Sequence, residues 1–448
     1  MKVLSKLKEL KQHQGIRRYF SNTSWLFAEK VLRMFIGLFV GIWVARYLGP
    51  EQFGLLSYAQ SFVFLFTAIA TLGLDGIVVR ELVKSEVKRD VLLGTAFGLK
   101  LLGAIVTLLV LAVAVQMTSN DQYTNLLVFI IASSTIFQSF NVIDFYYQSI
   151  VLSKYVALAN TICLAISSII KISLILNNAS LVAFALVMVF DTAILAIGLL
   201  YFYNKSSQLK LFNWCFEWQV AKTLLHDSWP LIFSGLILMI QARVDQIMLK
   251  EMVGINEVGF YSVALRLIEA IAFLPLMLKT SLFPAIQHAK SNSVEIYKHR
   301  LLNFYRLNFL LFLITAVPLF FFSEQLIVLL FGDEYQPAAI IFSLMVSRLF
   351  FTNMGTARSA YIITENLVRF SMLTMLLGTI TNIFLNYMWI SEYGAKGAVI
   401  ATICSFFVTI FLVDLCYVKT RANALLQVRS IFTCFKIKIR LNGRNTVD

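Results

Sequence analysis

The chain has 448 residues, of which 59% are hydrophobic and 14% are charged, and its formal net charge is +14. A soluble domain carries about 25% charged residues, so this composition excludes an ordinary soluble protein and indicates a protein dissolved in lipid. The five cysteines are scattered without paired or metal-ligand spacing, which argues against a disulfide framework or a metal site.

Apolar runs of the length needed to cross a bilayer, about 20 residues, recur along the whole chain. The first run is too long for the core of a signal peptide, so we expect it to stay in the protein. The connections are short, and they contain helix breakers at Gly49-Pro50, Asn177-Asn178, Gly332-Asp333 and Tyr393-Gly394. We predict twelve spans, at 24–46, 54–76, 91–116, 123–147, 153–175, 181–203, 229–250, 257–284, 301–322, 337–361, 367–390 and 396–417.

The positions of the basic residues predict the orientation of these spans. With a cytoplasmic N-terminus, the inside segments hold 25 of the 38 Lys and Arg residues, and the outside loops hold two. Cytoplasmic loops carry this excess in membrane proteins, so the charge predicts both termini inside and does not require nucleic acid. We expect the basic ends to lie against anionic lipid head groups. The predicted parts are a basic N-terminal segment (1–23), an N-lobe of spans one to six (24–203), a cytoplasmic linker (204–228), a C-lobe of spans seven to twelve (229–417) and a basic cytoplasmic tail (418–448).

A short internal repeat supports the division into two lobes. Residues 49–59 and 254–264 share the pattern G-x4-G-x2-S-x-A, each time in an outside turn that leads into the next helix. Because each half has six spans, the halves run in the same direction and are related by a parallel pseudo-two-fold axis. Parallel repeats of this kind form transporters with a central cavity. The predicted fold class is therefore an all-α, polytopic membrane protein with two six-helix lobes.

Charged residues inside the spans are functional candidates, because each costs ~2.5–3.5 kcal/mol at mid-membrane. Long side chains near span ends can instead reach the interface, and this is our expectation for Lys171, Lys279, Arg306, Arg358 and Arg46. Three acids near inner ends are expected to cap helices or to pair with loop cations, with a transport role as the lesser alternative; these are Asp75, Asp144 and Asp414.

A deeper group of charges predicts a hydrated, net-cationic cavity between the two halves. Such a cavity would attract an anionic head group, because arginine binds phosphate oxygens with two parallel hydrogen bonds. The alternative is that Glu29–Arg33 and Arg266–Glu269 are structural pairs within one helix face. The acids could also carry a coupling proton or sodium ion. The cations are Lys30, Arg33, Lys100, Arg243, Arg266 and Arg348, and the acids are Glu29, Asp191, Asp245 and Glu269.

The sequence gives no support for an enzyme. It has no Walker A motif, no dinucleotide-binding glycine pattern, no zinc-hydrolase motif and no nucleophile elbow, so we expect no cofactor and no catalytic residue. A polysaccharide polymerase or a glycosyltransferase would need a large outer loop, and every predicted outer loop is short. A purely structural scaffold would gain nothing from the buried charges.

Several stretches together resemble the bacterial polysaccharide flippases of the multidrug/oligosaccharidyl-lipid/polysaccharide exporter superfamily. The opening is similar over residues 22–26, 41–59 and 72–76. Later stretches agree at 245–250, 259–264, 283–285 and 393–401. The resemblance covers the whole chain, and its opening is more typical of the polysaccharide branch than of the drug-exporting branch.

This resemblance implies two six-helix lobes in a V shape that work by alternating access in the bacterial inner membrane. It implies an undecaprenyl-diphosphate-linked oligosaccharide as cargo, for O-antigen (lipopolysaccharide) or capsule assembly. It also implies antiport with a proton or sodium ion, and a polysaccharide polymerase and chain-length proteins as partners. No site residue is taken from the resemblance. A drug or metabolite exporter of the same superfamily remains the alternative.

Overall fold

The computed structural model describes residues 14–85, 88–207 and 213–436, with side chains from residue 24 onward. Within these ranges every regular element is helical, which confirms the all-α prediction. The helices are α1 (Gln14–Thr71), α2 (Asp75–Lys84), α3 (Arg89–Val115), α4 (Gln122–Gln138), α5 (Val142–Ser149), α6 (Lys154–Leu176), α7 (Leu181–Ser207), α8 (Trp218–Met252), α9 (Ile255–Ile271), α10 (Phe273–Asn292), α11 (Val294–Phe321), α12 (Ser323–Phe331), α13 (Ala338–Thr364), α14 (Val368–Phe407), α15 (Val413–Cys416) and α16 (Val418–Phe432).

Ten helical stretches of the described chain are long and apolar enough to cross a membrane. Two of them, Ser24–Lys84 with 61 residues and Val368–Cys416 with 49, are far longer than the ~20 residues that one crossing needs. Each breaks at a glycine in a conformation outside the helical region, Gly49 (φ 70°) and Gly394 (φ 56°). Each therefore holds two predicted spans, and the ten stretches account for the twelve predicted crossings of a multi-pass membrane protein.

The chain forms two compact units. One extends to Arg243 and has its core around α2, α3, α5 and the adjoining ends of α6 and α7. The other contains Gly49–Gly54 and everything from Val244 onward, with a core formed mainly by α10, α11 and α13. These units differ from the predicted lobes, because the first part of α8 clusters with the first unit.

Helices extend into the segments between and after the predicted lobes. In the predicted linker 204–228, α7 continues to Ser207 and α8 already begins at Trp218. The backbone N–H of Glu217 donates to the Thr95 hydroxyl over 3.0 Å, which holds the linker against α3. The predicted tail begins with helix α16. Residues 1–13 and 437–448, the outer parts of the predicted basic ends, lie outside the described residues.

The two copies of the repeat both begin at a glycine with a positive φ, 70° at Gly49 and 141° at Gly254. The ψ angles of these glycines are 173° and 176°, and each glycine turns the chain into the next helix. The second glycines lie in reciprocal contacts. A Cβ atom on Gly54 would lie 2.3 Å from the Ile255 carbonyl oxygen, and one on Gly259 would lie 2.1 Å from the Pro50 carbonyl oxygen. The repeated glycines therefore let the two copies cross each other at backbone distance.

Candidate functional site

The second unit buries a carboxylate among neutral hydrogen-bond donors. Asp245 of α8 is 5% exposed. One carboxylate oxygen, Oδ2, accepts hydrogen bonds from the hydroxyls of Tyr261 (2.5 Å) and Thr402 (2.7 Å). The other, Oδ1, accepts from the amide of Asn386 (2.7 Å). Helices α8, α9 and α14 thus converge on one acid, and within the described chain no cation forms an ion pair with it.

The polar cluster extends along α14. Asn382 lies one turn before Asn386; the Asn386 amide donates to its oxygen over 3.3 Å, and Asn382 donates to Thr402 at the same distance. The side-chain oxygen of Asn386 is buried and has no hydrogen-bond partner among the described residues. Buried polar atoms are nearly always paired, so this oxygen has capacity for a further ligand beside the Asp245 carboxylate.

This arrangement suits the binding of a small cation. The three donors are neutral, so none of them offsets the charge that a carboxylate carries when it is ionised. An uncompensated charge is costly inside a membrane, and a proton or a hard metal ion would neutralise it. Hard cations prefer oxygen ligands, and carboxylate, amide and hydroxyl oxygens are grouped here. We call Asp245, Asn382, Asn386, Thr402 and Tyr261 the Asp245 cluster.

Arg348 of α13 is held against an aromatic ring. Its guanidinium carbon lies 5.3 Å from the centre of the Phe406 ring. The Nε atom is buried and has no hydrogen-bond partner among the described residues. Stacking on an aromatic face holds an arginine in place while leaving its in-plane N–H groups directed elsewhere.

Two other predicted arginines are held in the same way, each within its own unit. The Arg243 guanidinium carbon lies 5.3 Å from the Phe64 ring centre, and that of Arg266 lies 5.4 Å from the Phe53 ring centre. Both side chains are half-buried. Glu269, one turn beyond Arg266 on α9, is exposed.

The predicted charges of α1 form a pair at the expected spacing. Arg33 donates a hydrogen bond to Glu29 one turn earlier, which confirms the pairing that the i,i+4 spacing indicates. Glu29 is buried, whereas Arg33 is exposed. Lys30, between them in sequence, is also exposed.

The remaining predicted site residues of the first unit each contact an acid or a base. Lys100 of α3 is 3% exposed, and its Nζ lies 3.4 Å from Asp75 and 4.8 Å from the Phe145 ring centre. Asp191 of α7 accepts a 2.9 Å bond from Lys171, while its other carboxylate oxygen is buried without a hydrogen-bond partner in the described chain.

The expectation of interfacial snorkelling is wrong for Arg358, and two other cations of that group have partners elsewhere in the fold. Arg358 is 5% exposed and binds Asp414 with two parallel hydrogen bonds of 2.6 and 2.8 Å. Lys171 pairs with Asp191, and Arg306 donates to Thr433 and to the Lys436 carbonyl. The partner of each of these cations lies on another segment of the chain, and the position of a residue along its own span does not identify such a partner. Asp414 likewise pairs with a cation of a span and not with one of a loop.

The sequence prediction found Asp245 but missed the side chains that bind it. Asn382, Asn386 and Thr402 are uncharged, so counting charges within spans does not select them. A signal was present in the sequence: two asparagines four residues apart in an apolar run lie on one helix face, and amides inside a membrane need partners.

Comparison with known proteins gives one family. Residues 20–290, more than half of the chain, match the family model described as polysaccharide biosynthesis protein. No curated protein matches the sequence.

Solved structures of low sequence identity share the fold. A structure titled lipid II flippase MurJ, inward closed conformation, is 15% identical with a TM-score of 0.71, and the match covers 93% of this chain and 92% of that one. A multidrug resistance MATE family transporter of the MOP superfamily, inward-facing, is 13% identical with a TM-score of 0.67 and coverage of 91% and 96%. A MOP superfamily transporter from Pyrococcus furiosus, whose title reports reverse polarity of the binding pocket, is 14% identical with a TM-score of 0.51 and coverage of 93% and 92%.

Proposed function

Because the chain belongs to the polysaccharide biosynthesis protein family, we propose that it moves a lipid-linked oligosaccharide across a bacterial inner membrane. The cargo is an undecaprenyl-diphosphate-linked repeat unit for O-antigen or capsule, taken from the cytoplasmic to the outer leaflet by alternating access. The termini are cytoplasmic, and the protein is a transporter and not an enzyme. Without a hydrated path, the sugar hydroxyls and the two phosphates would lose their water in the membrane at a cost of several kcal/mol.

The observation that carries this proposal is the set of arginines held on phenylalanine rings within the spans. Arg243, Arg266 and Arg348 share this arrangement, which orients a planar group that suits phosphate. We propose each of the three as a residue that can bind phosphate groups of the cargo. Lys30 is exposed and is proposed to contact the head group, whereas Arg33, also exposed, already pairs with Glu29. Lys100, buried beside Asp75, has the weakest claim among the predicted cations.

We propose that the Asp245 cluster binds the coupling ion. An ionised carboxylate inside a membrane needs a proton or a sodium ion to neutralise it, and the unpaired oxygen of Asn386 favours a metal ion. Of the other acids, Glu29 and Asp191 already have cationic partners, and Glu269 is exposed. A polysaccharide polymerase and chain-length proteins are the proposed partners that take over the delivered unit.

Export of a drug or metabolite is the second candidate function, and the fold shared with a multidrug transporter favours it. The two functions differ in their substrate. A deletion strain that is hypersensitive to drugs but has normal surface polysaccharide would favour the exporter.

The sidedness of the lipid-linked oligosaccharide tests the proposal. In cells depleted of the protein, the precursor should accumulate yet stay inaccessible to an impermeant sugar-binding reagent outside. Re-expression of the chain should restore accessibility, and re-expression with Arg243→Gln, Arg266→Gln and Arg348→Gln together should not. Arg46→Gln, an exposed arginine at an outer span end, is the matched control. Normal accessibility in depleted cells, with no second flippase expressed, would overturn the flippase assignment.

A further inference from the structure

Helix α16, which begins two residues after the last membrane-spanning helix ends at Cys416, has inverted polarity. Its inner face is largely polar: Thr420, Asn423, Gln427 and Ser430 are at most 1% exposed, beside the buried Ala424 and Leu426, which packs against the core of the second unit. A helix that packs against a protein and faces water on its other side buries its apolar face instead. The polarity of α16 therefore indicates that its outer face is not in contact with water.

The outer face of α16 alternates between arginine and large apolar residues. Arg421, Leu425, Arg429 and Phe432 follow one another at intervals of four, four and three residues, which places them in one stripe. Leu425 is 58% exposed and Phe432 is 83% exposed, and Phe435 just beyond the helix is 84% exposed. Apolar side chains with interspersed cations are typical of helices that lie in the membrane interface.

The charge of this segment has a single sign. Between Val418 and Lys436 there is no acidic residue, and Lys419, Arg421, Arg429 and Lys436 are all exposed. Each basic residue close to a membrane surface adds attraction to anionic lipid. An excess of basic residues is usual in cytoplasmic segments; here it lies beside exposed apolar side chains of the same helix.

The inner face of α16 holds the helix firmly on the second unit. Tyr305 donates to the Asn423 side chain over 2.9 Å, Arg306 donates to Thr433 over 3.0 Å, and the Tyr361 hydroxyl donates to the Lys419 carbonyl over 2.7 Å. These contacts fix the rotation of the helix, so the stripe has a defined direction and does not depend on a flexible tail.

We propose that the outer stripe of α16 is a binding surface for anionic phospholipid at the membrane interface. Leu425 and Phe432 insert at the boundary between head groups and acyl chains, and Arg421 and Arg429 contact the phosphates. The surface anchors the end of the second unit that carries α11, α13 and α16. This inference does not rest on the proposed cargo, because any membrane transporter with this helix would have the same surface.

Depth measurements test where the stripe lies. In a variant without native cysteines, nitroxide labels are attached at Leu425→Cys, at Phe432→Cys and, as a control, at Ser291→Cys in the exposed end of α10. In nanodiscs that contain phosphatidylglycerol, the first two labels should collide more with oxygen than with a water-soluble nickel chelate, and the control label should do the reverse. Equal access of the nickel chelate to all three labels would place the stripe in water. Shielding of both stripe labels from both reagents would mean that protein covers it; either result overturns the proposal.

A second measurement tests the preference for anionic lipid. The double variant R421Q/R429Q is compared with R46Q/K396Q, which removes two exposed cations at outer span ends. Native mass spectrometry of the purified proteins measures the bound phosphatidylglycerol. The affinity for this lipid should be on the order of tenfold lower in the first variant than in the second. Equal losses in the two variants, with both folded by circular dichroism, would show that the stripe has no special affinity.

Discussion

Two buried carboxylates of the second unit are neutralised in different ways. Asp414 is fully buried and accepts two parallel hydrogen bonds from the Arg358 guanidinium, so the ion pair carries no net charge. Asp245 is almost as deeply buried, but its hydrogen bonds come from two hydroxyls and an amide. Both acids occupy spans; the sequence placed Asp245 in the deeper group and Asp414 near an inner end, but it gave the partners of neither.

The difference distinguishes an acid that already has a cationic partner from one that we propose to be functional. The Arg358–Asp414 pair satisfies both partners and offers nothing to a ligand. The Asp245 cluster offers a carboxylate bound only by neutral donors, and we propose that a mobile cation binds there and is released during transport. A buried acid among neutral donors is therefore a better candidate for cation binding than a more deeply buried acid that already pairs with an arginine.

The largest expected effect follows from breaking the Arg358–Asp414 pair. Asp414→Asn leaves a buried guanidinium without its counter-charge, and we expect a loss of roughly 3–5 kcal/mol in unfolding free energy. Thermal unfolding in detergent measures it. The double variant Arg358→Met with Asp414→Leu should regain most of the loss, because an apolar pair can replace a buried ion pair. A double variant as unstable as Asp414→Asn would contradict this account.

Neutralising Asp245 should affect ion binding more than folding. Asp245→Asn removes the charge but keeps the shape, and we expect the affinity for the coupling ion to fall roughly 10–100-fold, the value of one to two charged hydrogen bonds. Ion-dependent transport in proteoliposomes, under a sodium or a proton gradient in turn, measures the loss and identifies the ion. Asp333→Asn, an exposed acid of the same unit, is the control. Unchanged ion dependence in Asp245→Asn would exclude the cluster as the coupling site.

A third, smaller effect is expected on stability at the place where Gly54 and Gly259 let the two copies of the repeat cross. Gly259→Ala would place a methyl group 2.1 Å from the Pro50 carbonyl oxygen, and the forced separation should cost about 1–3 kcal/mol. Gly37→Ala is the matched control, since it lies in a helix with nothing within 4 Å of its added Cβ atom. That control should be neutral or slightly stabilising. Equal melting temperatures for the two variants would mean that the crossing is not a constraint.

The smallest expected effect is on substrate affinity at a single arginine. Arg348→Gln should weaken binding of a polyprenyl diphosphate by roughly 3–10-fold while the unfolding free energy stays within about 1 kcal/mol, because the stacking on Phe406 contributes little to stability. Quenching of intrinsic tryptophan fluorescence on titration with the lipid is one measurement. Wild-type affinity in Arg348→Gln would remove this residue from the proposed diphosphate ligands.

Local features of the fold could be predicted from sequence, and long-range pairs could not. Spans and breaks depend on neighbouring residues, so hydropathy placed the crossings, and Gly49 and Gly394 placed the sharp turns. The partner of Arg358 lies 56 residues away on another helix, and no spacing rule reaches that far. The contact between the two copies of the glycine repeat is also long-range, so the sequence showed that the copies are alike but did not show that they are in contact.

That contact makes the residues allowed in two distant stretches of the chain depend on each other. Here a side chain at position 54 meets the backbone at 255, and a side chain at 259 meets the backbone at 50. A larger residue at either position would displace the backbone of the other copy, so each copy limits which residues the other can carry there.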